Sequence, residues 1–174
     1  MNAVFRNGIP CVGGRRPPVF AAMNRVPNVL DDVDRAIIER LQVDGRAPYT
    51  RLAAAVGLSE AAVRQRVQRL LDAGIMQVVA VTNPLSVGYR RMAMIGVRTE
   101  GPSDGIAAAL QAMADIDYLV VTAGSFDLMC EVVVSDDRDL LDLTNRIRSV
   151  PGVMSTETFI YLDLVKQTFT WGAH

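Results

Sequence analysis

The sequence predicts an α+β chain in two parts, a winged-helix-like helix-turn-helix followed by a ferredoxin-like βαββαβ domain. Three observations carry that prediction. Gly57-Leu58-Ser59 stands between two short amphipathic stretches and reads as the turn of a helix-turn-helix. Further on, branched runs and runs of helical period follow in the order strand-helix-strand-strand-helix-strand. The third observation is charge. From Gly45 to Leu71 five arginines face one acid, a local +4, whereas from Glu100 to Asp163 twelve acids face three arginines, a local −9. The net charge of the whole is −1, so the distribution and not the total separates the two parts.

Residues 1–29 hold Pro10, Pro17, Pro18 and Pro27 with no hydrophobic period, and read as a disordered N-terminal arm. Arg15, Arg16 and Arg25 are placed there to graze phosphates, or else Met23 is the biological start. Asp31 to Val43 is a helix with Val33, Ile37, Ile38 and Leu41 inward. Thr50 to Val56 is a second, capped by Thr50, with Leu52, Ala53 and Val56 inward. Gly57 permits a sharp turn and Leu58 plugs it. The third helix runs from Ser59, a natural N-cap, to Ala73, and Gly74 stops it. Val63, Val67 and Leu70 form its buried stripe. Ala61, Gln65, Gln68 and Asp72 face away, with Arg64 and Arg69 on the shoulders. Such a face suits either plain solvation or contact with base edges and phosphates, and the helix-turn-helix before it favours the second. Residues 30–74 are therefore expected to be a DNA-binding domain.

Residues 75–90 are expected to be a linker strand, Ile75 to Thr82, and a hinge, Leu85 to Gly88, broken at Asn83-Pro84. Residues 91–168 carry strands at Arg91–Thr99, Tyr118–Ala123, Phe126–Ser135 and Val153–Val165, with helices at Ser103–Asp115 and Asp137–Val150. Residues 169–174 form a tail. The strands are apolar on both faces: Ala93, Ile95 and Val97 point opposite to Met92 and Met94, and Leu128, Cys130, Val132 and Val134 opposite to Met129 and Val133. Two helices cover one face, so a second protomer is expected on the other, in a symmetric homodimer.

Several classes are disfavoured. No apolar run approaches the ~20 residues of a membrane span, and Val19 to Met23 is too short for a signal-peptide core. Cys11 and Cys130 suggest neither a disulfide framework nor a metal cluster, which points to a reducing cytoplasm. His174 is the only histidine, and neither cysteine has a base beside it in the sequence. Asp136, Asp137 and Asp139 read as a helix cap and dipole partners. The expectation is no enzyme, no cofactor and no metal site.

Leu30-Asp31-Asp32-Val33-Asp34, Ile37-Ile38, Leu41, Asp44-Gly45-Arg46, Leu52-Ala53, Gly57-Leu58-Ser59, Arg66-Val67, Leu70 and Gly74-Ile75 stand in register. Asn83-Pro84, Gly88, Thr122-Ala123-Gly124 with Asp127, Pro151-Gly152-Val153 and Thr156-Glu157-Thr158 continue the series. The whole resembles the Lrp/AsnC family, the leucine-responsive and asparagine-responsive, or feast/famine, bacterial transcription regulators, from about Leu30 to Lys166. The resemblance implies a DNA-binding head, an amino-acid-sensing and oligomerisation domain, and dimers that often assemble into octamers with small effectors between them. On matched positions it places Ser59, Ala61, Ala62, Arg64, Gln65 and Gln68 against the major groove, and gives Arg51 a phosphate contact. Arg66 reads instead as an ion-pair partner of a first-helix acid such as Asp34. Thr122, Gly124, Ser125, Phe126 and Asp127 match the loop that helps form the family's effector pocket, to which Thr156 and Thr158 either add hydroxyls or stand only for their β-propensity. In that loop Gly124 can take positive φ and leave backbone N–H groups open to a ligand, or else makes a hairpin turn. Asp127 either binds an ammonium group or satisfies nearby backbone, and Phe126 either packs on a ligand or fills the core.

The expected function is a transcriptional regulator, cytoplasmic and nucleoid-associated, that binds double-stranded DNA and responds to a small effector, an amino acid or a relative of one. The alternative is a nucleoid-type architectural protein that compacts DNA with little sequence demand. A third reading is a metabolite-binding protein whose head no longer binds DNA.

Overall fold

The computed structural model describes residues 30–170 together with Gly172 and Ala173. The arm expected at 1–29, like Trp171 and His174, lies outside the described residues. The chain divides into two compact units. The first holds the described residues up to Ala80 and the stretch from Lys166, and the second holds Val81–Val165.

The first unit is a three-helix head: α1 Asp32–Val43, α2 Tyr49–Val56 and α3 Glu60–Asp72. Asp31 caps α1 by accepting from Asp34 N at 2.7 Å, with Asp32 and Asp34 in the first turn where the helix dipole favours acids. α2 starts one residue ahead of the expected Thr50 cap. Pro48 takes the N-cap position without a side-chain bond, and its carbonyl accepts from Arg51 N and Leu52 N. Gly57 then turns the chain at φ 70°, a conformation that L side chains rarely adopt. Ser59 caps α3 as expected, accepting from Ala62 N at 3.2 Å. Ile37, Ala47, Leu52, Ala53, Val63 and Val67 close the core between the helices. Each buried branched side chain contributes ~1.5–3 kcal/mol, so a core this small leaves modest stability.

The strand expected at Ile75–Thr82 does not form, and no other strand accompanies the three helices among the described residues. Val78, Val79 and Val81 are more than half exposed there. β-propensity describes how a side chain fits beside a neighbouring strand, and this stretch pairs with none among the described residues. At the hinge Asn83 caps a single 3-10 turn, Pro84–Val87, which Gly88 ends in the left-handed region.

The second unit runs β1 Arg91–Thr99, α4 Asp104–Gln111, β2 Ile116–Val121, β3 Leu128–Val134, α5 Asp137–Arg148 and β4 Val153–Ile160. The sheet is antiparallel in the order β2-β3-β1-β4, the ferredoxin-like arrangement expected. α4 ends four residues before the expected Asp115, since Met113 N turns back to Leu110 O so that the chain can enter β2. β4 stops at Ile160 instead of Val165 because β1, its partner, runs out: Tyr161 N makes the last bond, to Met92 O. Asp136 caps α5, accepting from Arg138 N and Asp139 N, which gives the acid cluster the role expected of it.

Directly opposed residues in an antiparallel pair share a face, so the register sorts every side chain. Ala93, Ile95 and Val97 with Leu128, Cys130, Val132 and Val134 pack under α4 and α5 with Ile106, Leu110, Leu143 and Ile147. Met94, Gly96, Arg98, Met129, Glu131 and Val133 lie on the other face, joined by Tyr118 of β2 and by Glu157 and Phe159 of β4. There the Tyr161 hydroxyl is pushed up to about 12 by burial and then by its hydrogen bond to Glu131.

Candidate functional site

α3 follows the Gly57 turn with its peptide groups satisfied internally and its first turn capped by Ser59. Its stripe of Val63, Val67 and Leu70 is buried, which forces the opposite stripe outward. Ala61, Arg64, Gln65, Gln68 and Arg69 are exposed, Ala62 is half-buried, and Ser59 and Arg51 are exposed beside them. The face is polar but not a bare cationic stripe. Arg64 donates to Glu60 at 2.7 Å, and its guanidinium carbon lies 5.0 Å from the centroid of the Tyr49 ring. Gln68 donates to Asp72 at 2.7 Å, and Arg51 sits 3.7 Å from Asp44.

Arg69 is placed otherwise than expected. Asp34 of α1 is 1% exposed, and its two oxygens accept from Arg66 at 2.8 Å and from Arg69. Arg66 also donates to Asp31 at 2.6 Å. The pairing of Arg66 with α1 was legible in the sequence, whereas Arg69 is drawn from the shoulder of the outward face because a buried carboxylate must have partners. The pair of arginines locks the roll of α3 on α1. The Asp31 carboxyl is held below the usual carboxylate range, first by the N–H of Asp34 and then by Arg66.

The loop between β2 and β3 is shaped by its own main chain. Thr122 N donates to Asp127 O at 2.9 Å, Asp127 N to Val97 O at 3.0 Å, and the Thr122 hydroxyl to Phe126 O. Oδ2 of Asp127 accepts from Thr99 N at 2.7 Å, the backbone-satisfying role that stood beside the ligand-binding one. Gly124 is not among the glycines of positive φ. Gly124 and Ser125 are exposed, and a methyl group built on Gly124 would meet nothing within 4 Å.

Phe126 folds back onto the sheet. A Cβ on Gly96 would lie 2.6 Å from its ring, so the absence of a side chain at Gly96 makes the seat. Phe159 meets the ring edge-on at 6.1 Å, and the Arg98 guanidinium lies 5.3 Å from its centroid. Thr156 and Thr158 do not join this group. Opposed to Val97 and Ile95, they share the helix-covered face, and Thr156 accepts from Arg148 Nε at 2.7 Å. Their alternation was visible in the sequence, but only register decides which face it serves.

Tyr49 and Glu60 are functional candidates that the sequence reading missed. Glu60 four residues before Arg64 is a legible helical pair, whereas the approach of Tyr49 depends on how α2 meets α3. Cys130 is buried in the sheet core with its thiol pushed up to about 11 by burial, an inert packing residue. No helix of the described residues is long and apolar enough to cross a membrane.

Comparison with known proteins bears on both units. Residues 30–71 match the model of the AsnC-type helix-turn-helix domain, and residues 92–171 that of the Lrp/AsnC ligand binding domain. The HTH-type transcriptional regulator FL11 of Pyrococcus furiosus is 31% identical over 142 residues, which cover 80% of this chain and 94% of that protein. The HTH-type transcriptional regulator LrpA of Mycobacterium tuberculosis is 36% identical over 134 residues, 75% of this chain and 89% of that protein. A crystal structure of the M. tuberculosis leucine response regulatory protein superposes with a TM-score of 0.73 at 34% identity, covering 79% of this chain and 96% of the other. The M. tuberculosis feast or famine regulatory protein complexed with L-methionine gives 0.72 at 34% identity, covering 79% and 95%.

Proposed function

This chain belongs to the Lrp/AsnC family of transcriptional regulators, and we propose that it binds operator DNA through α3 under the control of an amino acid bound at its second unit. One observation carries the DNA half: a capped helix, set after a left-handed glycine turn, presents Ala61, Arg64, Gln65 and Gln68 to solvent as one polar face. Small residues near the helix start let the backbone approach a duplex, and amide and guanidinium groups match base edges. Arg51 supplies a phosphate contact and Ser59 a hydroxyl at the helix start. Arg69 acts through Asp34, fixing the helix instead of touching DNA.

The proposed division has residues 30–74 bind DNA, 75–90 link, and 91–165 sense and assemble, the stretch from Lys166 belonging to the first unit. The apolar face bearing Met94, Met129 and Val133 is covered by a second copy, giving a homodimer that can build an octamer. The effector sits at the loop Thr122–Asp127. Ser125 and loop N–H groups receive its carboxylate, and Oδ1 of Asp127 receives its ammonium while Oδ2 braces Thr99. The L-methionine complex of a relative supports an amino acid as the ligand class.

The test is fluorescence anisotropy on DNA from upstream of the chain's own gene against a scrambled duplex, with each amino acid in turn. Selective binding that one or a few amino acids shift is expected. Equal binding to both duplexes, with a steep salt slope, would leave the architectural reading in its place. Selective binding that no amino acid shifts would remove the sensing half.

A further inference from the structure

The polar contacts on the outward face of α3 are made with acids: Arg64 with Glu60, Gln68 with Asp72, and, beside the face, Arg51 with Asp44. Arg64 is also held from a second element, by the ring of Tyr49. Tyr49 is the first residue of α2 and Glu60 the first of α3, so two helix starts converge on one guanidinium. An arginine free on a helix surface samples many rotamers, and ordering it when a ligand arrives opposes binding. Between a carboxylate and an aromatic face, Arg64 is ordered beforehand. Both it and Glu60 remain open to solvent, with side chains 63% and 44% exposed.

We propose that Tyr49 and Glu60 are positioning residues for Arg64, and that Glu60 makes the head selective by penalising DNA that offers Arg64 only a phosphate. This rests on the reading of the α3 face as the DNA-contacting one. On non-operator DNA, Arg64 exchanges a carboxylate for a phosphate, one anion for another, and the released Glu60 is left near the negative backbone. Like charges brought together there oppose the complex. Where Arg64 meets a guanine, O6 and N7 accept two hydrogen bonds in the fixed geometry of its fork. The neighbouring cytosine amino group is then a donor for Glu60. The same acid that weakens phosphate binding is thus satisfied at the right base pair.

The experiment uses the full chain, a duplex that it enriches from a random library, and a scrambled duplex of equal composition. Glu60→Gln is expected to tighten the scrambled duplex by about threefold or more and to weaken the enriched one, where the lost charge ordered Arg64 and met the base pair, so that the ratio of affinities falls. Tyr49→Leu should weaken the enriched duplex by about threefold, and Tyr49→Phe should restore it because the ring face survives. A helix merely damaged by these changes would lose both affinities together. If Arg64→Ala weakens the enriched duplex but Glu60→Gln leaves the ratio at its wild-type value, the inference is overturned and the reading of the face stands. If Arg64→Ala changes nothing, the reading of the face fails first. A library from which the wild-type chain enriches no sequence overturns both. Tyr49 packs against the head core, so should Tyr49→Leu unfold the head, Glu60→Gln at an exposed position decides alone.

Discussion

On α3, Glu60, Arg64, Gln68 and Asp72 pair with one another across an exposed helix face, whereas in the loop after β2, Thr122 and Asp127 are bonded to main chain. The reason lies in the backbone. A helix satisfies its own peptide groups, so polar side chains on its surface find only each other, in pairs that a ligand can exchange. A loop leaving a sheet edge has peptide groups without partners, and short polar side chains are drawn to them. Polar residues on α3 are therefore informative about a partner. Those in the loop are informative first about the fold, and any ligand must use what the fold leaves over.

The largest expected effect tests a place where the head departs from this contrast. Asp34 is buried, and its charge is balanced by Arg66 and Arg69. Asp34→Ala should destabilise the head by about 3 kcal/mol, the low end for breaking a buried pair, because both guanidinium groups keep some contact with water. Hydrogen exchange should show the loss in α1–α3 while β1–β4 stay protected; equal loss in both units would mean that they do not unfold separately. Next, Gly96→Ala should cost the second unit about 2 kcal/mol by driving a methyl group into the Phe126 ring. Denaturant midpoints read this directly, and an unchanged midpoint would mean that the ring moves away freely.

Asp127 offers the sharpest version of the contrast. Asp127→Ala leaves Thr99 N without its acceptor and should cost ~1–3 kcal/mol. Asp127→Asn keeps an oxygen for Thr99 and should cost well under that, yet it removes the charge proposed to meet an ammonium group. Calorimetric titration of this variant with the amino acid identified on DNA should show most of the affinity gone. Wild-type affinity would confine Asp127 to its structural role and place the ligand elsewhere.

The features legible in the sequence were those with a local cause. Ser59 as a cap, Gly57 as a turn and the buried stripe of α3 need only the helical period and a small polar residue before it. The alternation in β1 and β3 gave the two faces of the sheet, and the order of elements gave its topology. What stayed hidden depended on partners remote in the chain. The branched run at Ile75–Thr82 looked like a strand but pairs with none among the described residues. Arg69 and Arg64 looked alike on the shoulders of α3, and only the position of Asp34 against the helix separates them. Thr156 and Thr158 were placed in a pocket by motif, and register with Val97 and Ile95 puts them on the opposite face from Phe126.

The smallest effect concerns Asp31, the exposed member of the clamp between α1 and α3. Its carboxyl titrates below the ordinary value of 3.8 in the folded head, because the N–H of Asp34 and then the Arg66 guanidinium both favour the charged form. A depressed folded pKa contributes stability that is present above the unfolded value, and it is lost as pH falls through the folded one. Asp31 thus adds to the head at neutral pH and gives up its contribution below about pH 4. Asp31→Asn keeps a capping oxygen, since Asn serves at an N-cap about as well as Asp, and removes only the charge. The head of this variant should be slightly less stable at pH 7, and its stability should fall less steeply between pH 4 and pH 2, while that of the second unit is unmoved. Thermal melts of the two proteins across this range, followed by exchange in α1, measure the difference in slope. Parallel curves would mean that the cap alone, and not the pairing with Arg66, fixes the start of α1.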